Sequence, residues 1–308
     1  MPLGSVIPAA RVLTAAPPIT VARPARGLTL YRAEPIVWAR EGGAAMFEAF
    51  RTRAPGGLLR WYTDSQLTDW FRVGGDRLDE IGKALSLWIG RPRQLLQVRV
   101  VDDTGAPSTA FTYREVDPRR TVRAATLELV LPAVSSPALL VELAAEAASR
   151  WPVLSGVGGH LATWNPHEKP TAFWDIHDWC KRFVGLDVQD ADAMAWHAFD
   201  GLPGSGWLTL VGNAAADRLR LDLAALAAGP WKHGVKATPL AHGLLLQAGP
   251  APVLGDLNHG EFPWAYAEVA RRLAPAFLNE PPPFWGGFRD HGDTVAWLRR
   301  LVEPEGWR

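Results

Sequence analysis

Apolar and polar positions change period along this chain, and the changes mark its elements. In Gly27–Arg32 (GLTLYR) apolar residues alternate with others at the two-residue period of a half-buried strand. Leu95–Asp102, Thr109–Val116 and Val122–Leu131 read as three strands in series. The first pair is joined by the turn-forming run DDTGAPS. Leu58–Tyr62 is a short strand, and Val153–Trp164 a Gly-rich one. Between them the period lengthens: Leu78, Ile81 and Leu85 share one face of a helix over Asp76–Leu87. Ala44–Arg53 is helical, and Ser136–Arg150 opens with Ser-Pro, an N-cap followed by a first-turn proline. Thr171–Phe183 is a helix that also follows a proline. Further on come a strand at Gly206–Val211, a helix at Asn213–Ala228 and a strand at Ala241–Ala248. A Gly/Pro/Asn/Asp turn cluster then leads to helices at Pro263–Leu273 and His291–Leu301.

Helices interspersed with antiparallel-looking runs of strands predict an α+β fold, with mostly antiparallel sheet packed by amphipathic helices. Residues 1–26 form a Pro/Ala-rich N-terminal segment, either an ordered edge or a loose tail, and 27–308 read as one compact unit. The two halves have loosely similar element order, which leaves open two similar subdomains meeting near 136–164, although no repeat of fixed period is present. Pro281–Pro283 carries the chain across the surface to its final helix.

Composition narrows the classes. A chain of 308 residues that is 48% hydrophobic builds a sizeable core without metal or disulfide. Lys+Arg and Asp+Glu are both 32, which argues against a general nucleic-acid or anionic-membrane binder. The single cysteine, Cys180, cannot close an intrachain disulfide and fits a reducing cytoplasm. No window approaches the length of a membrane-spanning apolar helix, and prolines break the N-terminal apolar run, so a cytoplasmic protein without a secretory signal is expected. Fifteen tryptophans are divided between core packing and a partner-facing patch.

Motifs that could supply chemistry are sparse. FWDIHDWC, Phe173–Cys180, gathers Asp175, His177, Asp178 and Cys180 on a helix. A metal site needs three or four convergent ligands, and a cysteine nucleophile needs a facing base; neither is visible in the spacing. GDLNHGEF, Gly255–Phe262, offers Asp256 with His259 as an acid–base pair, or simply a structured loop feeding a helix. GVGGH, Gly156–His160, lacks the Lys-Ser/Thr of a phosphate loop and reads as close strand packing. Gly204–Gly206 lacks the spacing of a nucleophile elbow. No catalytic set, metal or cofactor is therefore assigned, while a metal-dependent hydrolase using Asp175, His177 and Asp178 stays as the enzymatic alternative.

A series of segments, in order, carries a resemblance. LRWYTD at Leu59–Asp64, the helix Ser136–Trp151 running into LSGVGGHL at Leu154–Leu161, and VGLDV at Val184–Val188 come first. WLTLVG at Trp207–Gly212, QAGPAPVLGDLN at Gln247–Asn258, PWAYAEVARRLAP at Pro263–Pro275 and WLRRL at Trp297–Leu301 follow. Together they resemble the type VI secretion immunity protein family. Val184 stands where that family usually has Pro, and Leu219-Arg220-Leu221 where members often have Leu-Gly-Gly, which puts the local helix start in question. The resemblance implies a cytoplasmic, non-enzymatic protein that binds a cognate effector toxin of the nuclease class and blocks it by occlusion. An adaptor that loads the effector is the alternative, and a homodimer stays open.

The charge pattern then gains meaning. From Phe183 to Ala216 there is no Lys or Arg, while Asp187, Asp190, Asp192 and Asp200 surround Trp196 and His197. Nucleases expose cationic clefts, which carboxylates with an aromatic anchor can meet and steer toward. These six residues are the candidate partner-binding face; Glu41 with the Trp61–Trp70 aromatics is a competing one.

Overall fold

The computed structural model describes residues 7–13, 18–33, 42–54, 59–63, 69–87, 95–116 and 122–307. Among them one antiparallel sheet of eleven strands runs through the molecule. In chain order the strands are β1 (Arg11–Leu13), β2 (Ile19–Arg32), β3 (Trp61–Thr63), β4 (Trp70–Arg72), β5 (Leu95–Val101) and β6 (Ala110–Val116). They continue with β7 (Ala125–Leu131), β8 (Val153–Trp164), β9 (Leu208–Gly212), β10 (Val235–Leu240) and β11 (Gly243–Ala248). Their spatial order is β10-β11-β9-β8-β2-β7-β6-β5-β3-β4, with β1 added beside β2. The α+β architecture predicted from the alternation is the one observed.

The two longest strands, β2 and β8, pair at the centre from Ala22↔Trp164 to Arg32↔Val153. Their close approach explains the glycines of GVGGH. A Cβ on Gly156 would fall 2.3 Å from Leu30 Cδ2, and one on Gly27 would fall 2.6 Å from the Leu129 carbonyl oxygen.

Strand parity divides the sheet into two faces. Leu28 and Leu30 of β2, Val98 and Val100 of β5, Phe111 of β6 and Leu127, Leu129 and Leu131 of β7 enter the main core. That core is closed by α1 (Gly42–Arg53), α2 (Arg77–Leu87), α3 (Pro137–Arg150) and α8 (Trp264–Leu273), which contribute Phe47, Phe50, Ile81, Leu143 and Val269 among others. On the opposite face α4 (Lys169–Arg182), α9 (His291–Arg299) and α10 (Pro304–Trp307) build a second core with Phe173, Ile176, Phe288, Trp297 and Trp307. Trp151, Trp207, Trp297 and Trp307 are among the largest fully buried side chains, so the core half of the tryptophan division holds.

Some elements differ from the sequence reading. β2 begins at Ile19, so part of the 1–26 segment is sheet, and β1 pairs with it. β4 and β10 lacked a readable alternation: β4 has three residues, and β10 (VKATPL) mixes a Lys and a Pro into a short edge strand. The helix expected over Asn213–Ala228 is two, α6 (Asn213–Leu219) and α7 (Leu223–Ala228). Arg220 separates them with φ 57° and ψ 40°, the left-handed conformation that glycine adopts most cheaply. The Leu219-Arg220-Leu221 departure thus falls at a helix end, not a helix start.

One buried pair ties the second core to the sheet. Arg300, just past α9, lies with its guanidinium 3.3 Å from the centroid of the Trp297 ring. Its Nε donates to the Val184 carbonyl at 2.9 Å and its Nη2 approaches Asp187 Oδ1 at 3.4 Å. Asp187 in turn pairs by backbone with β8: its N–H donates to the His160 carbonyl, and Ala162 N–H donates to its own carbonyl, both at 2.9 Å. Burial pushes the Asp187 carboxyl up and the Arg300 guanidinium down, while each favours the charged form of the other. Removing one partner strands the other charge in the interior. Arg300→Ala is therefore expected to lower the unfolding free energy by about 3–5 kcal/mol, measured by urea denaturation at pH 7.

Candidate functional site

The second face of the sheet is not wholly covered. Beyond α4, toward β5 and β6, the same parity that places Val130 and Ala110 in a small apolar cluster presents Arg99, Thr112, Glu128 and Thr29. Those four are direct cross-strand neighbours, one row across β5, β6, β7 and β2. The next row carries Gln97, Arg114, Thr126 and Tyr31. A cleft of about 160 Å³ opens over this polar patch, roofed by Trp164, Lys169 and the Asp190–Asp192 segment. A narrower space of about 50 Å³ continues inward past Glu128 and Arg99 toward Leu161 and Gln189.

Its charges are only partly paired. Lys169 Nζ meets Asp190 at 2.5 Å. Asp192 is held by Arg123 at 2.7 Å and also by Arg114. Among the described residues, Arg99 and Glu128 have no hydrogen-bond partner or ion pair, although the Arg99 guanidinium lies 5.5 Å from the Trp70 ring centroid. The Nε atoms of Arg99 and Arg114 are buried without a partner. Burial first, and the Asp192 carboxylate second, push the Glu128 carboxyl up to about 7, while Arg99 and Arg114 hold it down.

The six residues expected to face a partner do not form one surface. Asp187 is buried against Arg300 and Gln189, and Asp190 is buried against Lys169 while also capping α5 (Ala191–Met194) through Ala193 N–H. Those two carboxylates hold the segment in place. Asp192, Trp196 and Asp200 are exposed and His197 is half-buried. The Trp196 ring is half-exposed, at 52%, with the Arg123 guanidinium 5.5 Å from its centroid. The missing cations of the interval are thus supplied by other elements. Glu41 lies outside the described residues. Arg99, Arg114 and Glu128 escaped the sequence reading, yet a signal existed: charged residues sit at one parity of strands whose other parity is apolar, as in Gln97-Val98-Arg99-Val100.

The enzymatic candidates are dispersed or structural. Asp175 pairs with Arg11 at 3.6 Å, while His177 Nδ1 lies 3.7 Å from the exposed Asp178 carboxylate and its ring packs edge-on against Phe288 and Trp307. Among the described residues no three His, Cys, Asp or Glu groups gather as a metal-holding cluster. Cys180 is fully buried and burial pushes its thiol far up, the reverse of an activated nucleophile. Asp256 and His259 do meet, at 3.1 Å. Asp256, however, is fully buried in a two-pronged pair with Arg182 at 3.0 and 2.7 Å and accepts from Asn258 N–H. Arg182 holds its carboxyl below the ordinary range, so the group is a fixed anion that fastens the Gly255 turn to the end of α4.

Comparison with known proteins decides the family. A family model described as TsiV, type VI immunity for VRR-NUC, matches residues 44–301. The chain belongs to the TsiV family. Its fold is shared by Pseudomonas aeruginosa T6SS protein PA0821, which superposes with a TM-score of 0.76 over 97% of this chain and 89% of that one, at 20% identity. No curated protein matches. The resemblance read from the ordered segments is confirmed, and with it a protein of type VI immunity that neutralises a toxin and recognises an effector protein. Among the described residues of this TsiV protein no helix is long and apolar enough to cross a membrane.

Two measurements follow from the cleft and from α4. Glu128 binds its proton more tightly folded than unfolded, so its contribution to stability is fully present below its unfolded value near 4.5 and is lost as pH rises through about 7. Glu128→Gln should therefore melt close to the wild type at pH 5 and above it at pH 8; parallel melting curves at both pH values refute the strained carboxyl. In native protein the Cys180 thiol should resist alkylation by iodoacetamide and react fully only in denaturant.

Proposed function

We propose that this TsiV protein neutralises a VRR-NUC effector by occluding it, without turnover, in the cytoplasm, and that the contact face is centred on Trp196. The family match supports the partner, and the half-exposed Trp196 ring supports the place. A large aromatic kept at the surface by a cation beneath it is the anchor type that dominates interface energetics. Asp192 and Asp200 flank it with exposed carboxylates, and His197 adds a ring that is partly accessible. Their number is too small for a broad anionic field once Arg114 and Arg123 have answered Asp192. The reading is accordingly one of shape and an aromatic anchor, with electrostatics aiding encounter.

The experiment joins binding to toxicity. Co-expression with its cognate VRR-NUC effector should protect cells, and the purified pair should form a complex in which nuclease activity is silenced. Trp196→Ala should weaken that complex about thirtyfold or more and reduce protection, with the melting temperature little changed. A stable complex whose nuclease remains active would instead mark an adaptor. Wild-type affinity in Trp196→Ala would move the face elsewhere.

A further inference from the structure

We propose that the cleft between Arg99 and Glu128 receives an acidic side chain of the docked effector. The inference rests on the occlusion reading above and adds the chemistry of the contact. Size comes first. About 160 Å³ is below the roughly 300–1,000 Å³ of ordinary small-molecule sites, yet it accommodates the end of one side chain.

Charge selects the kind of side chain. The roof carboxylates are already satisfied, Asp190 by Lys169 and Asp192 by Arg114 and Arg123, so they do not call for a further cation. Arg99 is a half-buried guanidinium that no carboxylate meets, and the Nε–H groups of Arg99 and Arg114 are buried and unanswered. An arriving carboxylate would meet the Arg99 guanidinium that lines the cleft with charge-assisted hydrogen bonds. A Lys or Arg would instead enter past Arg99, Arg114 and Lys169 to reach one carboxyl that is half protonated near neutrality. The rim supports a protein as the source. Trp164 lines the opening, exposed Trp196 adjoins it through Arg123, and exposed Trp285 adjoins it through Lys169, 6.0 Å from the ring centroid. An aromatic rim around a polar pocket is the arrangement that excludes water from a buried interface contact.

Glu128 gives the contact a signature. The groups facing it are Arg99 from β5, Arg114 from β6, Tyr31 from β2, and Asp190 and Asp192 from the roof, with Lys169 of α4 lining the same cleft. Tyr31 stays neutral, because burial pushes its hydroxyl well above 10. A carboxylate beside Arg99 therefore favours protonated Glu128, which can donate its O–H to the newcomer. Docking then takes up about half a proton near pH 7 and close to one at pH 8.

The test measures complex affinity between the full-length protein and its effector at pH 6, 7 and 8 for the wild type, Arg99→Gln and Glu128→Gln. With Glu128 titrating near 7, wild-type affinity should fall about tenfold from pH 6 to pH 8. Glu128→Gln should remove that slope, and the difference between the two slopes cancels any titration on the effector's side. Arg99→Gln should weaken binding about tenfold or more. Should Arg99→Gln unfold, the Glu128→Gln slope alone decides. Affinity that rises with pH and collapses in Glu128→Gln would mean a cationic side chain and overturn the assignment. A wild-type complex untouched by either substitution would overturn it too, leaving occlusion intact. No wild-type complex at any pH would remove occlusion and this contact together.

Discussion

The Arg300–Asp187 pair is the constraint on which the second face of this molecule depends. It joins three parts distant in sequence: the residue after α9, the turn after α4, and the edge of β8 that Asp187 reaches by backbone hydrogen bonds. Asp187 also accepts from Gln189 at 2.9 Å, and Gln189 accepts from the Tyr31 hydroxyl at 3.1 Å, so the network continues into β2. Buried ion pairs add little stability in themselves, since desolvation offsets their attraction. Their effect is on uniqueness. A loop carrying Asp187 can sit here in one way only if neither charge is to be stranded. That fixes Asp190 and Asp192 as the roof of the cleft and leaves Trp196 pointing outward.

Local pattern was enough for much of the scaffold. Alternation in GLTLYR and in the series Leu95–Leu131 located four central strands, apolar spacing located α2, and the Ser-Pro start located α3. The glycines of Gly156–His160 were readable as close packing because a strand tolerates such a run only where backbones crowd. The short edge strands were not readable, since three residues of β4 carry no period and β10 owes its existence to pairing with β11. The break at Arg220 was hidden for a similar reason: a left-handed arginine gives no composition signal, and only comparison with glycine at that place hints at it.

The candidate face shows where one-dimensional reading of charge ends. The Phe183–Ala216 interval is anionic along the chain but close to neutral in space, because Lys169, Arg114, Arg123 and Arg300 come from α4, β6, the β6–β7 connection and the C-terminal segment. Two of its four aspartates are structural and buried, and only long-range contacts could reveal which. Exposure of Trp196 was equally unreadable, since Trp151 and Trp207 lie in similar apolar surroundings and are wholly buried.

The strand-borne charges bear on how an immunity protein obtains specificity. Arg99, Arg114 and Glu128 project from hydrogen-bonded strands whose other face is packed by α1, α2 and α3, so their backbones have little freedom to lose. A partner that meets them spends less of its binding energy on ordering than one that meets loop charges. The same rigidity leaves the row Arg99–Thr112–Glu128 unable to relax toward self-pairing across the intervening strand. The electrostatic mismatch is held open by the sheet itself, at the expense of stability above neutral pH, and it penalises any partner that brings the wrong charge to the cleft. Specificity of this kind needs no active-site geometry, only a polar patch that the fold leaves incompletely covered and incompletely neutralised.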